Sequence, residues 1–312
     1  MNPPVAACSP SAPVCLIGAP TDVGASRRGA SMGPEALRVA GLAAALQGLG
    51  RQVVDEGDLS GPANPLGPVQ AGYRHLDEVI AWNRAVYRAT LASLGAGQLP
   101  VLLGGDHSVA IGSISAVARH CREKGKRLRV LWLDAHADVN VGETTPSGNL
   151  HGMPVSCLCG LGPEALTTLG GPLPALQPSE LRQIGLRSVD PAEKLELRQL
   201  GIEAYDMRFI DEHGMAETLR RALAGLDEHT HLHVSLDADF LDHDIAPGVG
   251  TAVPGGPGYR EAQLCMEMVA DTGRLGSLDV VELNPACDVR NQTAECLVAM
   301  IESLLGKSVL LR

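Results

Sequence analysis

The sequence predicts an α/β protein, a parallel sheet covered by helices on both faces. Short apolar runs alternate along the chain with longer helical patterns, the strand–helix–strand order of crossover units. Those runs are continuously apolar rather than alternating, as strands buried on both faces are. A third observation locates function. GGDHS follows PVLL, DAHAD follows RVLWL, DAD follows HVSL and VELNP follows GSLD. Ligands in such sheets bind beyond the carboxyl ends of strands, so four ends rich in His, Asp and Glu imply one shared site.

Taken in order, VCLIGAP (14–20) is the first apolar run, and GPEALRVAGLAAALQGLG (33–50) is the first helical stretch. LDEVIAWNRAVYRATLASL (76–94) has helical spacing and leads to the strand QLPVLLGG (98–105). SVAIGSISAVARHCREKG (108–125) is helical, and RVLWLDA (129–135) and LRQIGLR (181–187) are strands. DPAEKLELRQLG (190–201) and GMAETLRRALAGL (214–226) are helices before the strand HLHVSLDA (231–238). GYREAQLCMEMVADTG (258–273), the strand LGSLDVVEL (275–283) and TAECLVAMIESLLG (293–306) complete the alternation. No repeat or low-complexity linker interrupts it.

Composition narrows the function classes. The chain has 312 residues, a length that α/β proteins often reach as one domain. A formal net charge of −11 argues against nucleic acid as partner. Two Trp, two Phe and four Tyr leave few rings to stack on bases and require an aliphatic core. The start lacks the basic-then-apolar pattern of a secretory leader, and no apolar run is long enough to span a bilayer. Eight cysteines without zinc-finger or redox spacing then predict a cytoplasmic chain with reduced thiols. Residues 1–12, rich in Pro, Ala and Ser, are expected to form a flexible segment ahead of a single catalytic domain, 13–312.

The chemistry follows from side-chain geometry. In an extended segment, residues i, i+2 and i+4 point the same way, so Asp134, His136 and Asp138 share a side. At ~3.3 Å per residue the outer two would lie about 13 Å apart on a straight chain, too far for one ion. Either the chain curls after the strand, or the three side chains serve two ions. Asp237 and Asp239 repeat the spacing-two pattern. If the ends converge, Asp134, Asp138, Asp237 and Asp239 crowd four negative charges together, and some must protonate unless cations intervene. Two divalent ions balance all four, with His107 and His136 as neutral nitrogen ligands. The mixed carboxylate–imidazole set suits Mn²⁺, although affinity order alone favours Zn²⁺ or later metals. Singly, each Asp could cap a helix or fix a loop; together they read as a metal site.

These segments, in this order, resemble the ureohydrolase superfamily, the arginases, agmatinases and their relatives. The match runs from IGAP (17–20) and GPEALR (33–38) through GGDHS, DAHAD and SLDAD to VELNP (281–285). The resemblance implies a single three-layer α/β/α domain with a mainly parallel central sheet and a pair of Mn²⁺ ions at its edge. It assigns His107, Asp134, His136, Asp138, Asp237 and Asp239 as ligands, with Asp138 also counted among the catalytic residues. Two metals can lower the pKa of a water between them, and its addition to a guanidinium carbon would release urea and an amine. Glu282 would hold the guanidinium by a charge-assisted hydrogen bond; without the family it could equally be a paired core carboxylate.

Substrate choice turns on NVGETTPSGNLHGMP (140–154), close to the arginase form. Asn140, Ser147 and Asn149 would contact an α-carboxylate as neutral donors. Asp190 would bind the α-ammonium, with Glu193 assisting through water. Asp190 before Pro191 also reads as an N-cap with Pro at the first helical position. His151 would shuttle protons at the mouth, and Thr251 would support Glu282. The expected reaction is L-arginine to L-ornithine and urea, in a homotrimer or homohexamer.

Two departures matter. Asp242 is followed by His243 where the family often has Asp-Pro, and the loop 141–146 carries Glu143. A pocket-facing Glu143 would repel an α-carboxylate, which keeps agmatinase or guanidinobutyrase activity as the alternative. A catalytically silent metal- or amino-acid-binding protein is the rival from another class. His229, His231 and His233 invite a zinc reading but enter their strand at its far end, and Cys157 with Cys159 cannot complete a tetrahedral site.

Overall fold

Every apolar run predicted as a strand enters one sheet in the computed structural model, which describes residues 12–172 and 174–310. The strands are β1 (Val14–Ala19), β2 (Val53–Asp58), β3 (Leu99–Gly104), β4 (Arg127–Leu133), β5 (Leu181–Leu186), β6 (Glu203–Asp206), β7 (Thr230–Asp237) and β8 (Leu275–Val281). Their spatial order is β2-β1-β3-β8-β7-β4-β5-β6. Each pairing is parallel, so all eight carboxyl ends lie along one rim. The segment 1–12 lies, apart from residue 12, outside the described residues.

Side-chain alternation builds the layers. In β4, Leu131 and Leu133 enter one core while Val130 and Trp132 enter another on the opposite face, as a period of two requires. The first core packs beneath α1 (Gly33–Val39), α2 (Leu42–Gly48), α8 (Met207–His213), α9 (Met215–Ala222), α10 (Tyr259–Asp271) and α11 (Gln292–Leu304). The other face carries α3 (Leu76–Gly95), α4 (Ala110–Lys124), α5 (Pro154–Leu158), α6 (Glu164–Thr167) and α7 (Pro191–Leu200).

Three differences from the sequence expectation have physical reasons. The stretch 33–50 is two helices, because Gly41 takes φ 83 between them. The edge strands β2 and β6 were not expected. Their sequences, VVDEGD and EAYD, face solvent along one side and lack the continuous apolar run of an inner strand. The short helices α5, α6 and α8 fall in stretches assigned to no element above, each of them, at five, four and seven residues, too short to show a helical period.

Two glycines bring the chain ends together at the rim. A Cβ on Gly105 would lie 1.7 Å from the Thr21 carbonyl oxygen, and one on Gly104 would lie 2.7 Å from Val281. With neither present, the end of β3 sits against both neighbours, and the Glu282 amide donates to the Gly105 carbonyl at 2.8 Å.

Candidate metal centre

Six side chains from three strand ends, those of β3, β4 and β7, meet at the middle of the sheet. Asp106 caps the turn after β3 by accepting from the Ser108 amide at 3.0 Å, which sets His107 at the base of the cleft. His107 Nδ1 lies 3.2 Å from Asp134, 3.2 Å from Asp138 and 3.0 Å from Asp237. His136 Nδ1 lies 3.4 Å from Asp134 and 3.1 Å from Asp239. Two groups of potential ligands result, His107–Asp134–Asp237 and Asp134–His136–Asp239, with Asp134 common to both. Asp138 reaches His107 because its φ of 54 turns the chain into the left-handed region. The chain curls after β4, and the side chains also divide between two groups.

Second contacts hold this geometry. The Trp132 ring stacks on His107, with centroids 4.1 Å apart and planes at 6°, and its Nε1 donates to Asp134 at 2.9 Å. Ser235 Oγ sits 2.9 Å from His107 Nε2, leaving Nδ1 toward the carboxylates. Arg187 donates to the carbonyls of Asp239, Leu241 and Val253, which ties the loop after β7 behind the site. None of these three residues was anticipated. The signal for Trp132 was available, since it lies two positions before Asp134 on an extended strand and shares its side.

The electrostatics describe a site built for cations. Burial, then the charge of Asp134, pushes the Asp138 carboxyl well up. Burial, then Asp239 and Asp134, does the same to Asp237. Burial opposes a charged His136, yet Asp239 and Asp134 override it and raise the imidazole to about 12. His107 rises for the same reason, burial being outweighed by Asp134 and Asp138. The oxygen and nitrogen donors present fit a pair of divalent cations, which would relieve that repulsion.

Over the cluster opens a cavity of about 330 Å³. His107, His136, Asp138, Asp237 and Glu282 line it together with Asn140, Ser147, Asn149, His151, Asp190, Glu193 and Thr251. Asp134 and Asp239 stand behind. Glu282, at φ 62, accepts from the His107 amide at 2.8 Å and lies 2.9 Å from His151 Nδ1. Burial opposes its ionisation, but His151 holds it below the usual carboxylate range. Asp190 caps α7 through the Ala192 and Glu193 amides, both at 2.9 Å, and accepts from Asn140 Nδ2 at 2.9 Å. Glu193 closes the capping box on the Asp190 amide at 3.1 Å. Asn149 accepts from Ser26 at 2.9 Å.

One assignment changes. Thr251 does not support Glu282: its hydroxyl donates to Asp239 at 3.0 Å, because the loop after β7 folds back over its own strand end. Glu143 is exposed and does not line the cavity. His231 and His233 are buried and share the Ser277 hydroxyl, each at 2.8 Å. His229 is exposed beside Glu228.

A family model described as the arginase family matches residues 12–306. The chain belongs to the arginase family. The arginase of Brucella melitensis biotype 1 is 46% identical over 299 residues, covering 95% of this chain and 96% of the relative. The solved structure of the Bacillus caldovelox arginase aligns with a TM-score of 0.91 at 42% identity, covering 96% of this chain and 100% of that one. That of Bacillus subtilis gives 0.88 at 40% identity, covering 96% and 100%. This arginase-family chain is therefore a hydrolase, built around His and Asp groups able to hold metal. No helix among the described residues is long and apolar enough to cross a membrane.

Proposed function

We propose that this chain hydrolyses L-arginine to L-ornithine and urea with two Mn²⁺ ions per subunit. One observation carries the reading: two ligand groups joined by Asp134 form the base of a cavity that Asp190 and Asn140 also line. When bound, a pair of divalent cations supplies a water of lowered pKa as nucleophile. His107, Asp134 and Asp237 would hold one ion, and Asp134, His136 and Asp239 the other, with Asp138 completing the first set.

The chain's own residues do the rest. Glu282, kept ionised, offers the guanidinium a charge-assisted hydrogen bond that fixes its carbon over the cluster. His151, 2.9 Å from Glu282 and at the cavity wall, carries protons between solvent and the leaving amine. Asp190 is held ionised: burial opposes this, but Asn140 and the Glu193 and Ala192 amides outweigh it. It would face the α-ammonium, with Glu193 assisting through water. Asn140, Ser147 and Asn149 would receive the α-carboxylate. Thr251 would steady Asp239. The outward position of Glu143 removes the repulsion that favoured agmatine.

The test is urea release from arginine, agmatine and 4-guanidinobutyrate after manganese loading, with the metal content measured. Arginine should exceed agmatine in kcat/KM by at least about a hundredfold, the scale of a lost charged contact. Agmatine exceeding arginine overturns the specificity. Bound manganese with no turnover on any of the three favours a silent binding protein. A cytoplasmic homotrimer or homohexamer goes with the reading, and light scattering of the purified protein tests the assembly.

A further inference from the structure

Seven non-glycine residues among those described have left-handed φ. Asp138 and Glu282 belong to the metal centre, and Arg290 and Asn291 lead into α11. The other three, Leu66, Ala71 and His75, with φ 55, 49 and 54, fall in one segment, 61–75, that carries no catalytic group. Such backbone is unfavourable for L side chains and persists only where the surroundings over-determine it.

Hydrogen bonds fix this segment at both ends, and those at its end lead to the cavity wall. At its start Trp82 Nε1 donates to the Pro62 carbonyl at 2.9 Å, and Asn64 donates to the Asp22 carbonyl at 3.0 Å. At its end His75 Nδ1 donates to the Val23 carbonyl at 2.9 Å, while Nε2 accepts from the Gly67 amide at 2.9 Å. The next residue, Gly24, accepts from the His151 amide at 3.1 Å. Between these anchors the segment presses on loop 141–149 with no slack. A Cβ on Gly72 would lie 2.4 Å from the Gly142 carbonyl, one on Gly142 would lie 2.6 Å from the Tyr73 ring, and one on Gly148 would lie 2.8 Å from Val69. The Arg74 amide also donates to the Gly148 carbonyl at 2.8 Å.

We propose that residues 61–75 form a brace that sets arginine specificity by fixing loop 141–149, and with it Ser147 and Asn149, against the cavity. This rests on the arginase reading of the pocket. Gly72, Tyr73, Gly142 and Gly148 are its positioning residues, and none of them lines the cavity.

Gly142→Ala tests it, because Gly142 is not among the glycines with positive φ and the added methyl's nearest neighbours are atoms of Tyr73. In manganese-loaded protein the variant should raise KM for arginine by about tenfold, the scale of a displaced binding group. The kcat should stay within about twofold, with Mn²⁺ affinity unchanged by chelator competition and KM for agmatine unmoved. Tyr73→Ala should by itself raise KM for arginine a few-fold, and in that background Gly142→Ala should add nothing. An unmoved KM, an equal effect in both backgrounds, or a loss of Mn²⁺ affinity overturns the brace. If Gly142→Ala does not fold, an unmoved KM in Tyr73→Ala does so alone. A wild-type protein that releases no urea from arginine overturns the function and the brace together; turnover with an indifferent Gly142→Ala overturns only the brace.

Discussion

Asp134 shows how much one carboxylate is asked to do. One oxygen accepts from Trp132 at 2.9 Å and stands 3.2 Å from His107. The other accepts from the His136 amide at 2.6 Å. Such a residue reads clearly in a sequence because its position at a strand end and its spacing to His136 are local properties. Asp190 is different, since its roles as N-cap and as substrate group look alike from the chain. Asp190→Asn separates them. The amide retains the cap, so Tm should not move, while the lost charge should raise KM for arginine by about 10–100-fold. Agmatine keeps the α-ammonium and should lose comparably, whereas 4-guanidinobutyrate, which has no ammonium, should bind Asp190→Asn no worse than wild type. Kinetics on the three substrates beside a melting curve check this, and a Tm loss without a KM effect would assign Asp190 to the helix alone. Thr251 was misread for a related reason: its partner depends on how a long loop returns, which spacing along the chain does not encode.

At the scale of elements, inner strands were legible and edge strands were not. The residues of β7 are buried throughout, whereas β2 exposes charged residues along its length. Beyond its pairing with β1, β2 is tied by ion pairs made across elements: Arg38 of α1 bonds both oxygens of Asp55 at 2.9 and 3.1 Å and Asp58 at 2.6 Å. A Cβ on Gly18 would fall 1.9 Å from Asp58, so the first strand leaves room for the pair. Because both carboxylates are partly exposed, Arg38→Met should cost only about 1 kcal/mol, lowering Tm by about 2–4 °C. Turnover should be unchanged, since β2 is at the sheet edge and the centre spans β3, β8, β7 and β4. A calorimetric scan and a urea assay decide it; a fall in kcat would mean that the edge communicates with the site. The split of 33–50 into two helices was likewise marked by a single residue, Gly41, whose left-handed turn is one of several conformations open to glycine.

For the molecule as a whole, the centre couples stability to pH. In the metal-free fold Asp138, Asp237, His107 and His136 hold protons more tightly than they do unfolded. The folded state then binds more protons above about pH 4, so stability falls as pH rises through the neutral range. Asp134 and Glu282 shift the other way, but their contribution is lost only as the acid range is entered. Cations that replace those protons should recover the loss. The rise in Tm on adding Mn²⁺ should therefore be larger near pH 8 than near pH 6, and a rise independent of pH would contradict the ligand assignment. The close approach at the end of β3 bears on how such chains are found. In GGDHS the two glycines answer to steric exclusion, one by Val281 and one by Thr21, while the Asp and His answer to charge. A search keyed on the glycines selects for architecture, one keyed on the histidine selects for reactivity, and a descendant could keep the first while shedding the second.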